Sequence, residues 1–466
     1  MVGALGLGFL AGCMTIFNAQ EAQRAFAPKG CGAPNEEGKV VLADYSLKEL
    51  VTFAMTNRPS VVSAALAVRD AHLALREIAA DAPLVSYSPW TSPHASLSGG
   101  YSAASDAGKH LNARTEGTAS AGLSVDILVY DFGRNNAQAN AQVERVIAAE
   151  YALVQEGYAV FDEVSTAYFG LLEADALLEV AHTNETEYAI HLQEAEEKLS
   201  AGEAKKLDVT RARLDFSQAR QTTIAASNAV DTAGAALMKA LGVDASRGTR
   251  ETVYPSNGKS LTYLMQGFAR THYDLSEAFD QARTNAPSVA IARARLRAAS
   301  HGVDYAIADL MPSVSATVGI SWADPLWAWH WGVSAVQSVF QGFRKTTAVD
   351  RAVVQLESAA ASVDESEQAL SLALEEAIAV RDNAVEACRT AWISVKAARE
   401  NLDTVKQQYL EGDASRVDFT DSVSDYATAL GSRVTAFYRG QIAEAKLFAI
   451  TGRLPEYSEK EERMSK

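Results

Sequence analysis

The chain has 466 residues, 21% of them charged, and a formal net charge of −16. That acidity argues against a nucleic-acid partner, because phosphate is bound through an excess of Lys and Arg, and the length calls for several domains or one elongated repeat. The three cysteines form no C-x-x-C pair and have no His at metal-ligand spacing, which argues against a zinc site.

Residues 1–12 are almost wholly small and apolar and end Leu10-Ala11-Gly12 before Cys13. They read as a signal peptide, and the last of them resemble the lipobox of bacterial lipoproteins, where a peptidase cutting before a diacylated cysteine needs small side chains. The resemblance implies that Cys13 is lipidated, that residues 13–44 form a lipidated N-terminal segment, and that Met14 favours passage to the outer membrane. In the alternative, Cys13 is incidental. Beyond this segment there is no run of about 18 apolar residues, so any crossing of a membrane is made by strands. Cys31 and Cys388 are left as free thiols or a bridge.

The rest of the chain repeats itself. Tyr45-Ser46-Leu47 matches Tyr273-Asp274-Leu275, and Asn57-Arg58-Pro59-Ser60-Val61 matches Asn285-Ala286-Pro287-Ser288-Val289, both 228 positions apart, as are Asp81 and Asp309. Arg134 and Arg344, Gly202 and Gly412, and Asp208 and Asp418 stand 210 apart. A first repeat therefore spans 45–242 and a second 273–452. A linker with Pro255, Asn257 and Gly258 covers 243–272, and a tail covers 453–466. The difference in spacing falls in the loop between the strands, Ser102 to Gly117 in the first copy and Ala323 to Leu326 in the second.

Each repeat has the order helix, strand, loop, strand, long helical stretch. In the first, Ala95, Leu97, Gly99 and Tyr101, then Ala119, Ala121, Leu123, Val125 and Ile127, alternate with small or polar residues. In the second, Val314, Ala316, Val318, Ile320 and Trp322, then Trp327, Trp329, Trp331, Val333 and Ala335, do the same. Segments of about ten residues, apolar on one side and polar on the other, are the signature of a membrane barrel with a wet lumen. Four of the six tryptophans lie within 322–331, where an aromatic girdle belongs. A soluble sandwich with one buried face is the alternative for any single strand.

From Asn135 to Ala201 and from Lys345 to Glu411 the sequence lacks proline and is rich in helix formers, giving arms of 67 residues that reach roughly 100 Å at the helical rise. A shorter arm returns to Leu241 or Ile450. Alanines such as Ala137, Ala139, Ala141, Ala148 and Ala149 let neighbouring helices come close. An isolated segment of this kind would read as an antiparallel coiled coil.

The duplicated order, with Val129-Tyr130-Asp131-Phe132-Gly133-Arg134 and Val339-Phe340-Gln341-Gly342-Phe343-Arg344 at the strand-to-helix turns, resembles the outer-membrane efflux factors of the TolC kind. The resemblance covers nearly all of Tyr45 to Gly452. It implies a mixed fold, an all-α tunnel plus a transmembrane β-barrel, with four strands and two long helical hairpins per chain. Four strands cannot close a barrel, the smallest having about eight, and the resemblance implies a homotrimer with twelve. It places barrel-to-helix turns at Gly133 and Gly342. It also places hairpin tips that meet a periplasmic adaptor protein at Leu199, Ala201, Gly202 and Leu207 and at Leu410, Gly412 and Val417. The implied function is the passive exit duct of a tripartite efflux or secretion system with an adaptor and an inner-membrane pump, lodged in outer-membrane lipid. The other reading is a lipid-anchored periplasmic coiled-coil scaffold without a channel, which has no use for the strands.

Asp418 and Asp421 are three apart on one face of the helix after the second tip, and their spacing from Gly412 resembles the aspartate ring of a periplasmic aperture. A solvated helix face is the bland alternative, and the first copy has Arg211 where the second acid would stand. No phosphate loop, H-E-x-x-H, G-x-S-x-G or dinucleotide fingerprint occurs. The eight histidines are scattered, His94 and His330 reading as lumen or interface residues. The chain is expected to be no enzyme and to need no cofactor or metal.

Overall fold

The computed structural model describes residues 47–80, 94–104, 116–202, 205–243, 275–323, 326–338, 340–411 and 413–451. Cys13 and Cys31, the linker beyond Val243, Gly412 and the tail lie outside them. The elements are α1 (Leu47–Asn57), α2 (Pro59–Ala80), β1 (His94–Ala104), β2 (Glu116–Tyr130), α3 (Arg134–Ser200) and α4 (Lys206–Ala240), then α5 (Leu275–Asn285), α6 (Pro287–Ala308), β3 (Ser313–Ala323), β4 (Leu326–Val336), α7 (Arg344–Glu411) and α8 (Arg416–Thr451). Starts of α1 and α5, and of α2 and α6, are 228 positions apart; those of α3 and α7, and of α4 and α8, are 210 apart.

Proline sets the breaks in the short helices. Pro59 and Pro287 stand at the first helical position, where a missing N–H costs nothing, and they push the residue before them out of the helical region. Ala286 has the extended φ of −65° and ψ of 122° that follows. No proline interrupts α3 or α7, which run unbroken for 67 and 68 residues.

The described residues form two compact units. One, from Ser63–Gln155 and Ala286–Leu370, holds the four-stranded antiparallel sheet in the order β1-β2-β3-β4. Its register lines up Leu97, Leu123, Ile320 and Trp329 in one row, and Ala95, Val125, Val318 and Trp331 in the next. On the alternate positions Thr317 donates to Asp126 at 2.6 Å, and the Ser315 and Ser334 hydroxyls are 3.0 Å apart. The period of two therefore sorts the sheet into an apolar and a polar face. Every β4 side chain is exposed, Trp329 to 76%. Trp322 and Trp327 pair at the loop end with ring centres 6.3 Å apart, while Tyr130 with Phe132, and Phe340 with Phe343, pair at the helix end. The loop in the first copy is shorter than its composition suggests, because pairing continues through Ser102 to Thr118, Ala103 to Gly117 and Ala104 to Glu116.

Helices of this unit are tied by paired polar groups and small contacts. Asn135 and Gln142 on α3 donate to the carbonyls of Ile78 and Ala71 on α2. Arg297 and Arg293 on α6 bind Glu144 on α3 at 2.8 Å and Glu367 on α7 at 2.6 Å. Buried Ala137, Ala141 and Ala148 leave room for this approach. The other unit takes residues up to Val62, Glu156–Asn285 and those from Ser371 on. Its core joins Val180, Cys388, Val434, Phe437 and Tyr438 on α3, α7 and α8. Cys388 is a buried free thiol there, pushed up by that burial. Among the described residues no helix is long and apolar enough to cross a membrane.

Gly319 shows how tightly the polar face is packed. A Cβ there would lie 2.6 Å from the His330 ring on β4 and 3.1 Å from the Leu123 carbonyl oxygen. Gly319→Ala is expected to destabilise the protein by about 1–3 kcal/mol, the range for overpacking. His330→Ala in the same chain should recover most of that loss in thermal unfolding of the detergent-purified protein.

Candidate functional site

Two turns carry the chain from strand to helix, and each needs two consecutive residues with positive φ: Phe132 (55°) and Gly133 (87°) in the first, Gly342 (59°) and Phe343 (62°) in the second. Sequence reading singled out the glycines Gly133 and Gly342, but these occupy opposite places in the two turns. One phenylalanine in each bears a left-handed conformation that L-residues adopt at a cost of about 1–2 kcal/mol. Buried Asp131 secures the first turn, its carboxylate accepting from the backbone N–H of Gly133 at 3.1 Å and of Asn135 at 2.7 Å. The second has exposed Gln341 instead, and Thr346 and Thr347 donate to the Phe343 carbonyl. Both following helices open on cations, which the positive end of a helix disfavours. Asp309 offsets this at both places: its carboxylate lies 3.3 Å from Arg134 and 3.4 Å from Lys345, whose ammonium also donates to its carbonyl.

The first tip closes with Gly202 at φ +79°, its N–H donating to the Leu199 carbonyl at 3.1 Å. This is the left-handed residue that ends many helices. Leu199, Ala201, Gly202 and Leu207 are exposed, Leu207 to 54%. At the second tip Val417 is 52% exposed. Leu410 belongs to α7, its side chain lying outside the described residues together with Gly412.

Both returning helices start with a carboxylate cap. Asp208 accepts from the Lys205 N–H at 3.2 Å, and Asp418 from the Ser415 N–H at 3.1 Å and the Ser415 hydroxyl at 2.7 Å, while that hydroxyl accepts from the Asp418 N–H. This is a capping box, and the Ser415 hydroxyl and then its N–H hold the Asp418 carboxyl below the usual aspartate range. The repeated pair Asp208 and Asp418 is thus explained by helix capping. Asp421, with no counterpart in the first copy, stands one turn further along the same face, exposed, and Asp425 continues the stripe at the next turn.

Three features here escaped the sequence reading. Arg416, first residue of α8, binds Asp215 of α4 at 2.8 Å with both side chains largely buried. Tyr188 donates to the Thr420 carbonyl at 3.4 Å; burial, then the carboxylates of Asp215 and Asp421, push its hydroxyl up. His191 is buried among aromatic rings. The partners are some 200 residues apart or in different helices, so no local pattern signals them. Among the described residues no group of His, Cys, Asp and Glu is placed to hold a metal.

The chain matches the family model described as outer membrane efflux protein over residues 51–243 and 278–453. Among solved structures it is similar to CusC, at 20% identity over 89% of this chain and 94% of that one, with a TM-score of 0.74. It is also similar to the CmeC outer membrane channel of Campylobacter jejuni, at 14% identity over 93% and 94% with a TM-score of 0.74. For the outer membrane protein VceC of Vibrio cholerae the values are 16%, 87%, 96% and 0.72. No curated protein sequence matches the chain.

The capping box is open to test. With its pKa depressed, the Asp418 carboxylate steadies the first turn of α8 above the ordinary aspartate range and loses that effect as pH falls through its folded value. Ser415→Ala should bring the Asp418 titration back towards the ordinary range and speed amide exchange over 416–421 at neutral pH several-fold. Hydrogen-exchange mass spectrometry reads the second effect directly.

Proposed function

Because this chain belongs to the outer membrane efflux protein family, we propose that three copies form the exit duct of a tripartite efflux or secretion system, served by a periplasmic adaptor and an inner-membrane pump. The observation that carries this is the sheet, whose apolar face offers Trp329 and Trp331 at 76% and 70% exposure between the Trp322–Trp327 pair at the loop end and the Tyr130, Phe132, Phe340 and Phe343 rings at the helix end. Such a face suits hydrocarbon and its ends suit the two interfaces. A coiled-coil scaffold gains nothing from it.

Three four-stranded sheets make twelve strands, above the eight at which membrane barrels begin. The two repeats then supply equivalent walls, with α3 and α7 as the long limbs of the periplasmic tunnel and the linker 243–272 between the repeats. Cys13 carries the lipid that tethers the N-terminus to the same membrane. Leu199, Ala201, Gly202, Leu207, Leu410, Gly412 and Val417 form the tips that meet the adaptor. The duct is passive and performs no catalysis; transport is driven by the pump.

The aperture is built at the start of α8. Asp418 is occupied in its cap, so Asp421 supplies the free charge of the ring, with Asp418 and Asp425 adding to the field. Repulsion among these carboxylates about one axis falls when multivalent cations bind, which blocks the pore. The Arg416–Asp215 pair ties this segment to α4 and so keeps the aperture narrow; opening requires that the pair separate.

Planar-bilayer recording of the purified trimer tests each part. Asp421→Ala should raise conductance and abolish block by multivalent cations while leaving the cap intact. Arg416→Gln should raise conductance and leave the block in place. Unchanged block in Asp421→Ala sinks the acidic gate, and a monomer without openings sinks the duct.

A further inference from the structure

We propose that His191 is a proton-sensitive wedge that holds the start of α8 in place at neutral pH and releases it in acid. The inference rests on the aperture reading for its functional meaning, but its structural basis is independent of it.

His191 sits on α3 with 3% of its surface exposed, and neither ring nitrogen has a hydrogen-bond partner. Buried polar side chains are nearly always bonded, so this ring stands out from an ordinary core histidine. It meets Tyr409 of α7 edge-on at 5.8 Å between centroids and Phe419 of α8 at 5.4 Å, and those two rings stack on each other at 5.2 Å. Lys198 lies 5.1 Å from the centre of the Tyr409 ring. Three helices therefore converge on one imidazole. Phe419 is buried and stands between Asp418 and Asp421, so it cannot leave its seat without carrying the aperture carboxylates with it.

A proton on this ring would turn its remaining acceptor nitrogen into a second buried donor, with nothing to accept from either. Glu194 on the same helix comes nearest, 4.0 Å from Nδ1, too far for a hydrogen bond. The other charged or titratable groups facing the site are Lys198 on α3, Asp215 on α4, the Tyr409 phenol on α7 and Arg416 on α8, the last paired with Asp215. Attraction of a cation to the Tyr409 and Phe419 faces opposes release but satisfies neither donor. Burial outweighs these charges and pushes the imidazole below the ordinary histidine range.

The sign follows from linkage. A ring freed from the wedge takes a proton near the ordinary value of about 6.5, whereas the seated ring does so only at lower pH. The seated state is fully favoured above that range and loses favour as pH falls through it to the depressed value. Acid thus unseats Phe419 and loosens the first turns of α8 before the ordinary carboxylates are protonated.

Hydrogen exchange over residues 405–425 of the full-length protein in detergent, corrected for the intrinsic pH dependence, tests the wedge at about pH 7.5 and about pH 5.5. The native protein should lose protection in acid, by up to about tenfold at about pH 5.5, one unit below the ordinary histidine value. His191→Phe, which keeps the aromatic packing, and His191→Gln, which cannot ionise, should show no such loss. Equal acid loss in native protein and both variants, or none in the native protein, overturns the proposal. Single-channel recording over the same pH range separates the two readings. Openings that increase in acid only with His191 support both, whereas silence at every pH rejects the duct and leaves the exchange data to judge the wedge.

Discussion

A sheet of four antiparallel strands leaves two rows of backbone N–H and C=O groups unpaired, one along β1 and one along β4. In water those groups are solvated, but in hydrocarbon each costs several kcal/mol unless another strand pairs with it. The apolar face asks for lipid and the edges forbid it for a lone chain. On the proposed reading, closure with further copies resolves the conflict, and the other features fit around that requirement. The turns at Phe132-Gly133 and Gly342-Phe343 redirect the chain from sheet to helix within a few residues. Asp309 draws together the first residues of α3 and α7, one from each repeat, so that both long helices start from one charged collar.

The repeats do the same mechanical job with different chemistry. The first turn is fastened by a buried carboxylate, Asp131, and the second by threonine hydroxyls. At the start of α4, Lys205, Arg211 and Arg213 stand where α8 has Ser415, Asp421 and Val423, while Lys206 matches Arg416, and Asp208 and Asp215 match Asp418 and Asp425. Capping demands an acid at position 208 and at 418, and that demand is met in both. No cap uses an acid at 421, and its presence in one copy alone is what the proposed aperture at the second tip draws on.

Much of this was legible in the sequence because it is local. Period-two alternation marks the strands, absence of proline marks the long helices, and the repeated spacing marks equivalent positions. Boundaries moved by a residue or a few, as where β1 and β2 continue into a stretch whose Gly and Ser content reads as loop. What stayed hidden depends on distance in the chain. Arg416 finds Asp215, and His191 finds Tyr409 and Phe419, only after the helices have packed. The double role of Asp418 is hidden differently: the serine three residues before it is a capping signal, but the same acid also stands in line with Asp421 as a charge.

The pairing of β2 with β3 joins Leu123 to Ile320, almost two hundred positions apart. Each hairpin, β1–β2 or β3–β4, can form from neighbouring sequence, but the central seam cannot close until the first long helical hairpin and the segment after it have been made. Closing so large a loop is entropically slow. Once made, and until it pairs with β2, the tryptophan-bearing β3–β4 hairpin is a sticky ribbon with two open edges, the kind of surface that invites aggregation. Until the seam is made, such a face demands cover of some kind. The demand falls on the order of assembly and leaves no mark on the finished structure.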